Sequence, residues 1–486
     1  MAEASSPRDE EKTSDAVSSS RRSSEAETVT EPSKEFAPIA VPQSSSAPRA
    51  VSPTRSNPRS ASLGRSNSRR SLSHIRSQNG YGCDDGENSS SEDIEAADGA
   101  VEKDPYEVKW DGGDSDPLNP RSMHHARKWL VVIIVSASSL CVTCTSSIYT
   151  STYDQITKEF DVSRLIATLG LSLFILGLGI GPMLLGPLSE FYGRRPIYLV
   201  SFSAFLIWLI PSAAAQNIQT MLIGRFLDGL SGSAFLSVAG GTVSDMFNRE
   251  QLQAPMLIYT ASPFVGPSVG PLIGGFINQY TDWRWTFYVL IIWTAVNLGM
   301  IALLVPETYH PVLLRNKARK IRKETGDERW KAPMEKTNKT IPKTIAYSLL
   351  RPFQLLTLEP MCTNLCLFSA ILLGILYLFF GAFPLVFRGN HDFTLSQTGL
   401  SFLGIFIGMV IGVCTDPFFH TNYKRLIRNR ELATGEVGGS EPEYRLPPAI
   451  VGSALVPVGL FLFAWTTYSS VHWVVPIIGS GIFGMG

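Results

Sequence analysis

Arg225 and Asp228 stand three residues apart in an otherwise apolar run, in the order Gly224, Arg225, Phe226, Leu227, Asp228, Gly229. On a helix that spacing puts both side chains on one face. Charges at hydrocarbon depth are costly unless they pair or face a wet cavity, which makes both residues functional candidates. The chemistry open to them is proton transfer. Burial raises a carboxylate's pKa and a neighbouring cation lowers it, so Asp228 can carry a proton whose affinity Arg225 tunes. A permanent internal ion pair is the competing reading of the same spacing. A second polar set is Tyr149, Tyr153, Asn297, Asn364 and Tyr377. Flat apolar surface with a hydrogen-bonding tip suits a cavity for drug-like molecules, and polar residues in membrane helices equally serve as glue between them.

Other chemistries find little support. Six cysteines occur, Cys83, Cys141, Cys144, Cys362, Cys366 and Cys414, all but the first in or beside apolar runs and without adjacent histidines. They read as packing residues, and the C-x-x-C of Cys141 and Cys144 lies inside an apolar run where a thiol is unreactive. No metal or other cofactor is expected. A phosphate-cradling P-loop after a strand is not found, which disfavours an ATP-driven pump. Formal net charge is +0, so bulk attraction to nucleic acid is not implied.

The elements that would position these residues are membrane helices. Apolar runs at 128–150, 165–185, 197–215, 220–243, 256–278, 287–305, 361–383, 395–415, 446–466 and 473–486 give about ten spans, all but the last near the length needed to cross hydrocarbon. Arg121, His124, His125, Arg127 and Lys128 precede the first. Between the sixth and seventh lie Arg315, Lys317, Arg319, Lys320, Arg322, Lys323, Arg329 and Lys331, and a further basic loop carries Lys424, Arg425, Arg428, Arg430 and Arg445. The alternating loops at 216–219 and 467–471 carry no Lys or Arg. By the positive-inside bias the amino terminus and the basic segments are cytoplasmic. The division expected is a tail at 1–120, a six-helix bundle at 128–305, a cytoplasmic linker at 306–357 and a second set of helices at 358–486.

The tail is rich in Ser, Arg, Glu and Pro, too poor in apolar residues to offset its ordering entropy, and is expected to be disordered. It lacks the pattern of a cleavable signal peptide, so the first span is expected to direct insertion. Serines follow arginines at Arg21–Ser24, Arg65–Ser68 and Arg69–Ser73. Kinases acting there would change the tail's charge.

The short link of Gly186, Pro187, Leu188, Ser189, Glu190, Phe191, Tyr192, Gly193, Arg194, Arg195 and Pro196 reads as a basic, turn-rich connection between two neighbouring spans. Its Gly, x, Leu, x, acid, x, x, Gly, Arg, Arg pattern closely resembles the signature loop between the second and third helices of the major facilitator superfamily, with Glu190 where Asp is commoner. Arg225 and Gly229 match that family's fourth-helix motif, implicated in proton coupling, while Asp228 stands where Gln is common and Ser231 replaces a small Gly. Gly266, Gly270, Pro271, Gly274 and Gly275 match the fifth-helix signature associated with its antiporters. Asp245 falls where the family places an acid that pairs with a signature-loop arginine. The resemblance therefore implies a latch to Arg194 or Arg195 in the outward-facing state, and a cap by Glu190 on an eleventh helix.

Asp282, Trp283, Arg284, Trp285 and Thr286 look like an interfacial anchor. With Pro306 to Leu314 and the following Lys317, Ala318, Arg322, Thr325, Gly326 and Asp327, they resemble the fungal twelve-spanner drug:proton antiporters. The implied fold is an all-α polytopic bundle, six helices and then an incomplete second half. The last apolar run is still in progress at Gly486, so the chain looks short of the eleventh and twelfth helices, and poor folding or lost transport is expected of it as written.

The implied function is a non-enzymatic, monomeric, proton-coupled exporter of small hydrophobic compounds at a fungal plasma membrane. Its partners would be a small-molecule substrate, protons and the lipid bilayer, with no nucleic acid. Polyamine export is the nearest alternative, and it would favour more intramembrane carboxylates than Asp228 alone. A non-transporting sensor would need a soluble output domain, and none is visible.

Overall fold

The computed structural model describes residues 105–248, 251–336, 341–434 and 442–486. The serine-rich tail sites lie outside these residues. Among the described residues nine helices are long and apolar enough to cross a membrane. They are α1 His125–Glu159, α2 Arg164–Tyr192, α3 Arg194–Ala213, α4 Ile218–Met246, α5 Gln253–Tyr280 and α6 Trp283–Leu304, then, after helices outside this set, α9 Pro360–His391, α10 Leu395–Leu432 and α11 Pro447–Trp465. Those that intervene are the longer α7 His310–Thr325 and α8 Ile341–Leu358, with a single helical turn at Pro333–Lys336 between them, and a shorter apolar helix, α12 Val474–Met485, ends the order.

Start signals are those expected of polar side chains ahead of apolar runs. Ser163 caps α2 through Ile166 N, Asn217 caps α4 through Thr220 N at 2.9 Å, and Thr394 and Gln397 form a capping box at α10. Helix α1 sits at the centre, with 83% of its most apolar window buried against 17–56% for the other spans. It packs on α5 and α6, α2 packs on α4, α3 on α4 and α6, and α10 on both α5 and α12. A stack of Tyr198, Phe202, Phe205 and Phe235 fills the space between α3 and α4. Phe379, Phe383, Phe387, Phe402 and Phe463 do the same among the later helices.

Three segments differ from the sequence reading. The link at 186–196 is mostly helix, because α2 continues through Pro187 to Tyr192 and α3 begins at Arg194. Only Gly193 turns, at φ 101°, a conformation that L side chains rarely adopt. Pro196 then occupies the first turn of α3, where a missing N–H costs nothing. The basic loop after the eighth span begins as helix, Asp416–Thr434. Finally, the segment from 105 to 120 is ordered, with short 3-10 turns at Gly113–Ser115 and Pro120–Ser122 and a parallel bridge from Glu107 to Lys331. It has no apolar period of its own, but Tyr106, Val108 and Trp110 find their partners on the linker around α7.

Candidate functional site

Arg225 and Asp228 are both fully buried on α4. Gly229 brings the α2 backbone at Phe174 and Leu178 close, and Gly224 makes room for the Ser212 side chain of α3. Arg225 donates through Nη2 to Thr145 O at 2.8 Å, and its guanidinium lies 4.8 Å from the Tyr149 ring and 4.5 Å from that of Phe174. Its Nε and Nη1 have no hydrogen-bond partner, nor has Asp228 Oδ1. The two charges therefore share a face without a direct hydrogen bond. Asp228 Oδ2 faces Ser212 Oγ at 3.2 Å, and the same hydroxyl is 3.1 Å from Trp208 O. One hydroxyl proton thus serves two acceptors.

The three tyrosines gather round this centre. Tyr149 and Tyr153 meet edge to face at 5.4 Å, with both hydroxyls buried and unpartnered. Tyr377, on α9, meets Ser146 Oγ of α1 at 2.9 Å, beside the Thr145 carbonyl that receives Arg225. Asn297 is buried with its Nδ2 unpartnered, one turn beyond Thr294, which lies 3.7 Å from Cys141. Asn364 is not part of this group: it lies on the exposed face of α9.

At the end of the bundle that carries the basic segments, Gly193 lets α3 start against a carboxylate. Glu307 accepts from Arg194 N at 2.8 Å and Arg195 N at 3.1 Å, and also from Thr308 N and Tyr309 N. A negative group at a helix N-terminus satisfies orphan donors and complements the helix dipole. The Arg194 side chain is nearly buried. Nη1 donates to Ser189 Oγ at 2.7 Å, Nε meets Asp245 Oδ2 at 3.4 Å, and the Tyr309 ring lies 4.6 Å away. Of the two candidate arginines, Asp245 therefore meets Arg194, while Arg195 donates to Ala302 O at 2.8 Å. His310 Nε2 reaches Asp245 O at 2.9 Å. Glu190 is half-buried in the last turn of α2, and Gly186 lies in the helix with nothing near its missing Cβ. The carboxylate gripping the loop is thus Glu307, visible in the sequence only as part of a run after the sixth span.

The glycines of α5 face two ways. Cβ atoms at Gly266, Gly270 and Gly274 would strike Thr143, Ser147 and Ile148 on α1, whereas one at Gly275 would meet Leu395, Ser396 and Gly399 on α10. Gly275 and Pro271, one turn before it, lie against α10, which α5 also meets through Ser268 at Met409 and Gln253 at Asp416. Further toward the end away from the basic segments, Asp154 on α1 receives Arg388 Nη1 of α9 at 2.5 Å and lies 4.0 Å from Arg164 of α2. Thr150, Ser151, Thr398, Phe380 and Phe402 line a cleft of about 30 Å³ there with these three charges. Nothing in one sequence links positions 234 apart, and this contact was not foreseen. It coexists with the Arg194–Asp245 contact, which the resemblance placed in the state open at this far end. Trp283, read as an interfacial anchor, is buried instead, with Nε1 2.5 Å from Glu159 Oε2, and Arg284 pairs with Glu159 at 2.6 Å.

A bundle of crossing helices with a buried charged centre, contacted from both the earlier and later helices, defines a membrane transporter. The sequence profile of the Major Facilitator Superfamily matches residues 135–486, and the chain belongs to that superfamily. It is 56% identical over 374 residues to "Efflux pump atB" of Aspergillus terreus, covering 77% of this chain and 71% of that one. It is 40% identical over 388 residues to the "Probable drug/proton antiporter YHK8" of Saccharomyces cerevisiae, covering 79% and 74%. The xylose transporter XylE from E. coli, in a partially occluded inward open conformation, aligns with a TM-score of 0.50 at 16% identity over 74% of this chain and 83% of that one, which shows a shared fold. The close relatives are fungal efflux pumps and drug/proton antiporters, in keeping with the resemblance read from the motifs.

Proposed function

We propose that the protein is a proton-coupled antiporter exporting small hydrophobic or drug-like compounds across the fungal plasma membrane by alternating access. The observation that carries the coupling is the single Ser212 proton between Asp228 and Trp208 O. With Asp228 charged, Ser212 donates to the carboxylate. With Asp228 protonated, the acid donates to Ser212 Oγ and Ser212 turns its proton to Trp208 O, so both protonation states are satisfied by one hydroxyl rotation. Arg225, held by Thr145 and two rings, keeps a positive field beside the carboxylate and leaves two donors for a water or substrate group.

Tyr149, Tyr153 and Tyr377, with Asn297 on the flank, form the wall that substrate would meet. The basic end is cytoplasmic by its Lys and Arg content. There Arg194 and Asp245, with Gly193 and Glu190 around them, act as a latch, while Asp154 and Arg388 close the outer mouth. Pro271 and Gly275 give the rocking halves a smooth bearing where α5 meets α10, and Gly266, Gly270 and Gly274 let α5 pack closely on α1.

The test is accumulation of a fluorescent hydrophobic dye in efflux-deficient yeast expressing the full-length gene. Wild-type protein lowers dye retention, and a protonophore or Asp228→Asn restores it with membrane insertion unchanged. Efflux that persists in Asp228→Asn would remove the carboxylate from the mechanism, and efflux indifferent to the protonophore would remove proton coupling.

A further inference from the structure

The ordered segment ahead of α1 does more than lead into the membrane. It docks on the linker through a small core of its own: Val108, Ala318 and Ala332 are buried, with Leu314, Ile321 and Trp330 packed against them. Backbone bonds pair the two segments, Val108 N to Lys331 O and Lys331 N to Tyr106 O, each at 3.1 Å. Rings lock the ends, Tyr106 against Trp330 at 5.6 Å and Trp110 against His310 at 5.8 Å. Lys317 of α7 inserts its ammonium among Asp111 Oδ2 at 2.8 Å, Asp116 Oδ2 at 2.9 Å and Lys109 O at 3.1 Å. Lys336 pairs with Glu107 at 2.8 Å. Across the return of the linker, Arg322 clamps Glu335 with two bonds of 2.9 Å.

The same helix α7 reaches the latch cluster at its other side. His310 touches Asp245 O, Arg315 Nη1 donates to Phe191 O at 3.3 Å, and the run from Glu307 to His310 leads directly into α7. From this placement we infer that residues 106–118 are a brace that clamps the linker and thereby holds Glu307 and His310 against Arg194 and Asp245. The segment connects the amino-terminal tail to the latch, so its release loosens the cap on α3. Any modification of the tail that pulls on this segment acts on the latch through α7. The transport arm of the test rests on the exporter reading; the other arms do not.

Two cysteines, Glu107→Cys and Lys331→Cys, introduced together in the full chain, cross-link on mild oxidation in native membranes. Val108→Asp, which buries an unpaired charge, speeds trypsin cleavage of the linker by at least about tenfold and lowers dye efflux. If Val108→Asp blocks insertion, the exchange Glu107→Lys with Lys336→Glu serves instead: either change alone raises cleavage, and the pair restores protection. Because both changes act on one cap, Val108→Asp with Glu307→Gln lowers efflux by less than the product of the single effects. No cross-link, or protease sensitivity unchanged in both variants, overturns the brace. Loss of protection with efflux intact, or with fully multiplicative effects, overturns its link to the latch. Absence of efflux in every form, wild type included, counts against the exporter reading and leaves the first two arms standing.

Discussion

Asp154→Asn removes the charge that ties α1 to Arg388 of α9, and its effect can be bounded. The pair is 2.5 Å long, but its side chains are 41% and 39% exposed, and Arg164 at 4.0 Å is 57% exposed. Such pairs contribute about 0.2–1 kcal/mol, not the many kcal/mol that Coulomb's law gives in a dry interior. A mouth held partly by this bond should therefore open up to about fivefold more often when it is lost. Thr398 lines the same cleft, so a cysteine there reports the opening through its rate of alkylation by a membrane-impermeant maleimide. The rate should rise up to about fivefold in Asp154→Asn at low salt. The difference should shrink above ~0.5 M salt, where screening reaches a few Å. Arg388→Gln should match it, and the double variant should be no faster than either single one. Unchanged rates, additive effects or a rise of ~100-fold would each refute the view that one exposed ion pair helps hold the mouth shut.

Gly270→Ala should destabilise the protein by about 1–3 kcal/mol, because its Cβ would meet Ile148 N and Cys144 O of α1, backbone atoms that cannot step aside; Gly299→Ala, with open space, should be neutral or mildly stabilising in the same detergent melts. Glu307→Ala should cost about 1–2 kcal/mol as a lost cap, read as faster hydrogen exchange at the Arg194 and Arg195 amides. Deleting Met1 to Ala100 should leave efflux intact, whereas deletion through Pro120 should lower it, measured in correctly localised protein. The Asp116–Lys317 contact should also be insensitive to cytosolic pH. Hydrogen bonding from Lys317 lowers the Asp116 pKa, so its stabilisation is present above the unfolded value of ~3.9 and is lost only as pH falls through the lower folded one. Burial opposes the charge on Lys317, but its bonds to Asp111 and Asp116 prevail and raise its pKa. That contribution is complete below ~10.4 and is lost only as pH rises through the raised folded value. Linker protection from trypsin should thus be flat between about pH 5 and pH 9; a step near pH 7 would refute the assignment.

Features that depend on local composition were legible. Long apolar runs mark where the spans begin to within a few residues, since any membrane helix must satisfy its own backbone, although several helices run on well past the apolar residues. The Arg225 and Asp228 pair stands out because charge is rare there. What one chain hides is pairing across distance. Asp154 with Arg388, Glu307 with the start of α3, and residues 106–118 with α7 are each made by folding and leave no local pattern. Asn364, on the exposed face of α9, shows a related limit: a polar residue in an apolar run has no marked side until its neighbours are known. The ordered stretch before α1 leaves little mark in the sequence, because its few aromatic residues look sparse alone and are sufficient only with a partner.

The two-way facing of the α5 glycines separates durability from switching within a single motif. Bulk added at 266, 270 or 274 strikes α1 within the same six helices, so tolerance there is governed by whether the molecule packs at all. Bulk at 275 is felt where α5 meets α10, and under the proposed alternating access it would bias which way the cavity opens while leaving the first six helices sound. An engineer seeking a transporter biased toward one orientation would therefore begin at 275 and leave the other three alone.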